Sequence, residues 1–143
     1  MGTRHKRVRV VLIDPENKTI TEQHIEPELP RYYFWIGCDY IESVVREVDE
    51  RDVNTLKQNS SKYIRLYVDE HGGFTEKPRF IVRTRYGGEE LIGKALLIGD
   101  PDDDGHVTDC LWQLDDVRKF IFFDLKSMRE YVSENRRHRH DNI

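Results

Sequence analysis

An acidic segment in the last third of this sequence contains residues whose side chains could bind a metal ion. Asp100, Asp102 and Asp104 stand at alternate positions, and Gly105 follows them. They match the first, third, fifth and sixth positions of a calcium-binding loop, in which carboxylates surround the ion and the glycine permits a tight bend. The twelfth position, which supplies a bidentate glutamate in such a loop, is Leu111. We therefore predict a sharp turn between two strands, with a cation held by the three aspartates as the alternative.

His106 and Asp109 extend the same segment into a set of groups that divalent metals accept as ligands. No pair of histidines is spaced to place two imidazoles on one regular element, apart from His138 and His140 near the C-terminus. A solvated turn is therefore the simpler interpretation. A metal-dependent enzyme or metal-binding protein that uses residues 100–109 stays an open alternative, and the sequence predicts no catalytic residue and no cofactor.

A run of aromatic residues beside an arginine forms the second candidate site, whose chemistry is the binding of a flat ligand. Tyrosine and tryptophan rings stack on nucleobases or similar rings, while a guanidinium group pairs with a phosphate. Two further arginines share one face of a later strand and add to this surface if they lie on the same side. The predicted ligand-binding residues are Arg31, Tyr32, Tyr33, Trp35, Arg83 and Arg85. The alternative is a core-facing segment in which Phe34 and Trp35 are buried and the two tyrosines are half exposed.

The charge of the chain is unevenly distributed, which limits its partners. The 143 residues carry a formal net charge of −4, yet residues 1–9 contain four basic residues and no acidic one. The segment from Arg136 onward contains three arginines and one aspartate. The acidic remainder does not attract a phosphate backbone, so nucleic acid is disfavoured as a partner except through the two ends. A nucleic-acid-contacting accessory protein that uses these basic termini is the third alternative.

Cysteine usage and hydropathy favour a reduced, cytoplasmic protein that has no contact with a membrane. The two cysteines, Cys38 and Cys110, are too few for a disulfide framework in a chain of 143 residues. Neither has a histidine that the sequence places beside it, so catalysis by a thiol is disfavoured. The N-terminus lacks the apolar segment of a signal peptide, and no apolar run has the length of a membrane span.

The elements that must position these residues are mainly strands. Alternating apolar residues and β-branched runs predict strands over 7–13, 20–26, 41–48, 63–70, 79–86, 90–100 and 106–112. The segment 90–100 is apolar on both faces, which predicts a central buried strand. We expect a short helix ending near Gly37, a helical turn over 50–57 and a helix over 126–137. Two prolines predict an irregular connection over 27–33.

These elements predict an α+β fold, namely a mostly antiparallel sheet of about five to seven strands with one or two helices packed on one face. The length fits a single domain. We expect a flexible basic N-terminus over 1–6, one α+β domain over 7–135 and a basic disordered tail over 136–143. Exposed strand edges also predict a homo-oligomer.

Several glycines and acidic residues follow one another in a characteristic order along the chain. The order is a strand ending in Asp-Glu-x-Gly, an apolar strand carrying Gly-x-Ala, and a glycine before an acidic turn. In this sequence they are Asp69, Glu70, Gly72, Gly93, Ala95, Gly99 and the turn 100–105. The pattern, over residues 7–124 apart from the segment 74–90, is similar to a small domain of unknown function found in bacteriophage and mobile-element proteins. The resemblance implies an accessory role such as interference with host defence, and it supplies no catalytic residues. We therefore expect a non-enzymatic small binding protein of this type, with a small ligand or a host protein as its partner.

Overall fold

Eight strands and three helices form the part of the chain that the computed structural model describes, namely residues 7–48, 62–72 and 76–141, with side chains up to residue 135. The strands are β1 (Val8–Asp14), β2 (Thr19–Ile25), β3 (Ile41–Glu47), β4 (Tyr63–Asp69), β5 (Arg79–Thr84), β6 (Gly87–Ile92), β7 (Ala95–Ile98) and β8 (Ile121–Phe122). The helices are α1 (Leu29–Ile36), α2 (Leu114–Phe120) and α3 (Leu125–Asp141).

The strands form two sheets in which every pairing is antiparallel. The larger sheet has the order β2–β1–β7–β4–β3, and the smaller sheet has the order β6–β5–β8. The predicted α+β class is therefore confirmed, although the strands divide between two sheets. All four residues of the central strand β7 are buried, because other elements cover both faces of the larger sheet.

Alternate residues of β1 belong to two separate cores, one on each face of the larger sheet. Val11 and Ile13 pack between the two sheets, together with Phe80 of β5 and Phe120 of α2. Val10 points to the opposite face and packs in the core beneath α1. The larger sheet therefore separates α1 from the smaller sheet.

The outer face of the smaller sheet is covered by α3. The Phe122 and Tyr131 rings lie 5.5 Å apart between centroids. Met128 packs so close to Gly88 of β6 that a Cβ atom added there would lie 3.0 Å from the methionine Cε. The layers follow the order α1, larger sheet, smaller sheet with α2, and α3.

Helix α1 occupies part of the segment that the prolines mark as an irregular connection, so the prediction for 27–33 is wrong from Leu29 onward. Proline is tolerated in the first helical turn, where its missing N–H has no intrahelical partner to lose. The predicted end of this helix is confirmed. Gly37 caps the helix in the left-handed conformation at φ 75°, and its N–H donates to the carbonyl of Tyr33 at 2.8 Å.

Two strand predictions in the second half of the chain are also wrong. Residues 90–100 do not form one strand, because the chain leaves the smaller sheet at Gly93 and enters the larger sheet at Ala95. Residues 106–112 form no strand and pair only through an isolated bridge between Pro101 and Val107. This segment instead follows the ends of β7 and β1, where the N–H of Cys110 donates to the carbonyl of Arg9 at 2.8 Å.

The predictions for residues 1–6 and for the helical turn over 50–57 lie outside the described residues. The sequence assigns a tail from residue 136 onward, whereas the backbone stays helical to Asp141. Within the described ranges, no helix combines the length and the apolar character that crossing a membrane requires.

Candidate ligand-binding site

A cavity of about 220 Å³ opens where the end of β2 meets the beginning of α1. It combines three groups that carry or accept a positive charge, one carboxylate and one indole. The lining residues are Arg7, His24, Ile25, Glu26, Arg31 and Trp35. Two of them belong to the aromatic–arginine run that the sequence singles out.

The β1–β2 hairpin and the short link to α1 bring these residues together. Antiparallel pairing places Ile25 opposite Val8, so the end of β2 lies beside Arg7. The chain then turns at once, because the N–H of Glu28 donates to the carbonyl of Glu26 at 2.9 Å. Helix α1 therefore begins next to the strand ends, and its first turn contributes directly to the cavity.

The helical period determines which residues of α1 reach the cavity. Tyr32 and Ile36 are four positions apart and face the larger sheet, where both are buried. Arg31 and Trp35 have the same spacing and lie on the adjacent flank, toward the cavity. Phe34 lies farther round the helix and is 73% exposed, and its ring meets Trp35 edge to face at 5.8 Å.

The cavity is cationic but contains its own counter-ion. The Nε atom of Arg31 lies 3.6 Å from a carboxylate oxygen of Glu26. A hydrogen bond with the Glu28 carboxyl, followed by the nearby charges of Arg31 and Arg7, holds the pKa of Glu26 below its ordinary value. Glu26 is therefore ionised at neutral pH, and two guanidinium groups face one carboxylate.

Tyr32, a predicted ligand-binding residue, belongs to the core. Its ring packs against Tyr67 at 4.9 Å, and only 3% of the residue is exposed. Burial, with Tyr67 and Glu28 nearby, raises the pKa of its phenol. Its hydroxyl group has no hydrogen-bond partner among the described residues. Tyr33 is half-buried, and its carbonyl accepts the capping bond at the end of α1.

Arg83 and Arg85 do not join this surface, because the larger sheet lies between α1 and the smaller sheet. The guanidinium group of Arg83 donates to the carbonyl of Lys119 at 3.1 and 2.9 Å and lies 5.1 Å from the centre of the Tyr131 ring. Arg85 pairs with Glu47 at 3.1 Å. The prediction that these arginines extend the aromatic surface is therefore not met by their positions.

The acidic segment forms a turn that is organised by one side chain. A carboxylate oxygen of Asp102 accepts hydrogen bonds from the N–H of Asp104 at 3.0 Å and from the N–H of His106 at 2.9 Å. These three residues each offer a ligand atom within 4.8 Å of the others, and all three are exposed. Asp100 lies outside this group, and its carboxylate is 3.7 Å from the Nε atom of Arg65. These two hydrogen bonds are sufficient to explain an aspartate at position 102 of the turn. A cation site stays a prediction.

Both cysteines lie in surroundings that favour the neutral thiol. Burial raises the pKa of Cys110 to about 11. Cys38 is half-buried, and burial followed by the charge of Asp69 raises the pKa of its thiol. A thiol in such surroundings is a weak nucleophile at neutral pH, since the thiolate is the reactive form.

The sequence did not single out His24 and Glu26, and it treated Arg7 only as part of a basic end. A partial signal was present in the hairpin, because pairing the two predicted strands brings residues 24–26 back beside the start of β1. The direction in which α1 leaves the hairpin has no comparable local signal.

Comparison of the chain with family models, with curated proteins and with solved structures found no match. The resemblance to a domain of bacteriophage and mobile-element proteins therefore stays a prediction.

Proposed function

We propose that this protein is a non-enzymatic binding protein that holds a small anionic ligand with a flat ring in the cavity beside α1. The observation that carries the proposal is the meeting of two guanidinium groups and an indole around one cavity, from Arg7, Arg31 and Trp35. Guanidinium groups match phosphate and carboxylate in geometry and charge, and an indole offers a stacking face for a ring. The accessory role in a phage or mobile element is proposed with it on the resemblance alone.

The size of the cavity limits the ligand to about one ring and one charged group. Sites for drug-sized molecules typically enclose about 300–1,000 Å³, which is more than the volume here. At about 0.3 kcal/mol per heavy atom, a ligand of about ten heavy atoms binds with a dissociation constant of about 5 mM. We therefore expect weak binding of minimal probes and tighter binding of the physiological ligand.

A titration followed by nuclear magnetic resonance tests the proposal with phenyl phosphate as the probe and with inorganic phosphate and phenol as its two halves. Phenyl phosphate should shift the signals of Arg31 and Trp35 and should bind more tightly than either half. Arg31→Met should weaken binding about tenfold, since it removes a charge-assisted hydrogen bond. Arg85→Met is the matched control, because Arg85 lies in the turn between β5 and β6 of the other sheet. Binding that is equally affected by both variants, or shifts confined to other surfaces, would contradict the proposal.

A host protein is the second candidate partner, and the exposure of Phe34 favours it. An aromatic side chain that is 73% exposed beside a half-buried Trp35 and an arginine has the composition of an interaction hot spot. A short peptide that ends in a phenylalanine carboxylate, compared with its amide, serves as the probe. Phe34→Ser should weaken the binding of the peptide and leave the binding of phenyl phosphate unchanged. An equal loss for both probes would instead assign Phe34 to the small-ligand site.

A further inference from the structure

Resting on the proposed function, we infer that the ligand of the cavity beside α1 is a zwitterion, namely a free aromatic amino acid. Its carboxylate would meet the guanidinium groups of Arg7 and Arg31. Its ammonium group would meet the carboxylate of Glu26, and its ring would lie against Trp35.

The carboxylate inside the cavity is the observation that distinguishes a zwitterion from a simple anion. Glu26 lies 3.6 Å from the Nε atom of Arg31 and also feels the charge of Arg7. An anion that approaches these arginines competes with Glu26 for the same cations and is repelled by it. A ligand that carries an ammonium group beside its anion gives Glu26 a new partner at the same time. The acidic residue then attracts the ligand instead of excluding it.

The neighbourhood of Glu26 is suited to a primary ammonium group. Glu28 follows two residues later and lies close enough to Glu26 to affect its pKa, so a second acidic side chain stands near this edge of the cavity. An ammonium group has three donors and can satisfy several carboxylate oxygens. The Nε atom of Arg31 lies beside Glu26 at 3.6 Å, and Trp35 lies one helical turn farther along α1. The two ends of an amino acid headgroup therefore find opposite charges within one small cavity.

Volume also favours this class of ligand. The cavity encloses about 220 Å³, which lies below the usual range for nucleotide- or drug-sized ligands. A single ring with a short charged headgroup needs no larger site. The indole of Trp35 offers that ring a face or an edge, and Phe34 extends the aromatic surface toward solvent.

Three related probes isolate the role of each charge in a titration followed by nuclear magnetic resonance. They are L-phenylalanine, 3-phenylpropionate, which lacks the amino group, and 2-phenylethylamine, which lacks the carboxylate. L-phenylalanine should bind about fivefold more tightly than either of the others, as expected for one exposed ion pair gained. Glu26→Gln should then weaken the binding of L-phenylalanine about twofold and tighten the binding of 3-phenylpropionate by a similar factor, so that the preference is lost. Glu16→Gln is the matched control, because Glu16 is an exposed carboxylate in the β1–β2 turn outside the cavity.

The opposite signs separate this inference from the proposed function. The zwitterion inference is wrong, and the anion site remains supported, if phenyl phosphate or 3-phenylpropionate binds at the cavity but L-phenylalanine does not. The same conclusion follows if Glu26→Gln tightens the binding of both L-phenylalanine and 3-phenylpropionate. If no probe shifts the signals of the cavity, both proposals fail. The pKa of Glu26, measured without ligand, gives an independent result. It should rise in Arg31→Met, and an unchanged pKa would show that the ion pair between Arg31 and Glu26, on which the inference depends, does not form.

Discussion

Replacement of Arg83 by methionine should destabilise the fold and leave ligand binding intact. Arg83 is 7% exposed, and its guanidinium group connects the smaller sheet to the last turn of α2 through the carbonyl of Lys119. The last carbonyls of a helix have no intrahelical partner, so this contact satisfies a group that the helix itself leaves unpaired. Methionine keeps an unbranched apolar chain but removes every donor.

The expected loss follows from these contacts. Both nitrogens of Arg83 donate to one oxygen, so we count them as a single charged hydrogen bond of about 1.5–3 kcal/mol. The guanidinium group also lies 5.1 Å from the centre of the Tyr131 ring, and a partly desolvated cation–π contact contributes about 1 kcal/mol. The sum is about 3 kcal/mol, a large fraction of the total stability of an ordinary domain. Arg83→Lys should lose roughly half of this, since an ammonium group can keep one hydrogen bond.

Urea unfolding followed by tryptophan fluorescence measures the change, and Trp112 in the core beside Phe120 reports on α2. The midpoint should fall without a change in the slope. Arg85→Met is the control, because its ion pair with Glu47 is exposed on the arginine side and contributes less than about 1 kcal/mol. A free energy of unfolding within about 0.5 kcal/mol of the unchanged protein would refute the structural role. A folded Arg83→Met variant that no longer binds phenyl phosphate would also refute the purely structural role, and would indicate that Arg83 belongs to the ligand-binding site.

Further predictions test the acidic turn and its surroundings. Gly99→Ala should lower the free energy of unfolding in urea by about 2–4 kcal/mol, because a Cβ atom there would lie 2.5 Å from the carbonyl oxygen of Thr108. Gly105→Ala should lower it by only about 1 kcal/mol, because Gly105 has open space around it but a φ of 82°. Equal losses for the two variants would contradict this account. Asp102→Ala should cost about 1 kcal/mol while Asp102→Asn stays near neutral, since asparagine accepts the same two backbone hydrogen bonds; a calcium-dependent rise in melting temperature that Asp102→Asn abolishes would instead support the cation site. The pKa of Cys110 rises from 9.0 to about 11 on burial, so its neutral thiol stabilises the fold below pH 9, and about 2–3 kcal/mol is lost as the pH rises toward 11. Cys110→Ala should lack this loss when unfolding is compared across that range, and parallel pH profiles would contradict the prediction.

Local signals in the sequence were sufficient for many of the elements. The alternation of Ile64, Leu66 and Val68 with polar or aromatic residues predicts β4, and the structure buries these three on one face. Gly37 marks the end of α1 because few other residues adopt its left-handed conformation. Each of these signals depends on side chains or dihedral angles within a few residues of one another.

The wrong predictions fall where distant contacts decide the structure. An apolar run such as 90–100 is compatible with one long strand or with two short ones, and only the positions of the two sheets select the break at Gly93. The segment 106–112 alternates like a strand, yet Asp109 and Cys110 are held by Arg9, about one hundred residues away in the chain. Local propensity cannot register contacts over such separations.

The candidate site shows how one aromatic run can satisfy two opposed interpretations. The sequence offers a ligand surface and a core-facing segment as alternatives for residues 31–35, and neither predicts that Tyr32 is the buried aromatic residue. A helix distributes consecutive residues around its axis at about 100° per residue, so Tyr32 enters the core while Arg31 and Trp35 reach the cavity. In a strand the same run would place only alternate residues on each face, and Arg31, Tyr33 and Trp35 would lie together. The helix rather than a strand therefore separates Tyr33 from the cavity, and it places Arg31 and Trp35 beside the charges of Arg7 and Glu26.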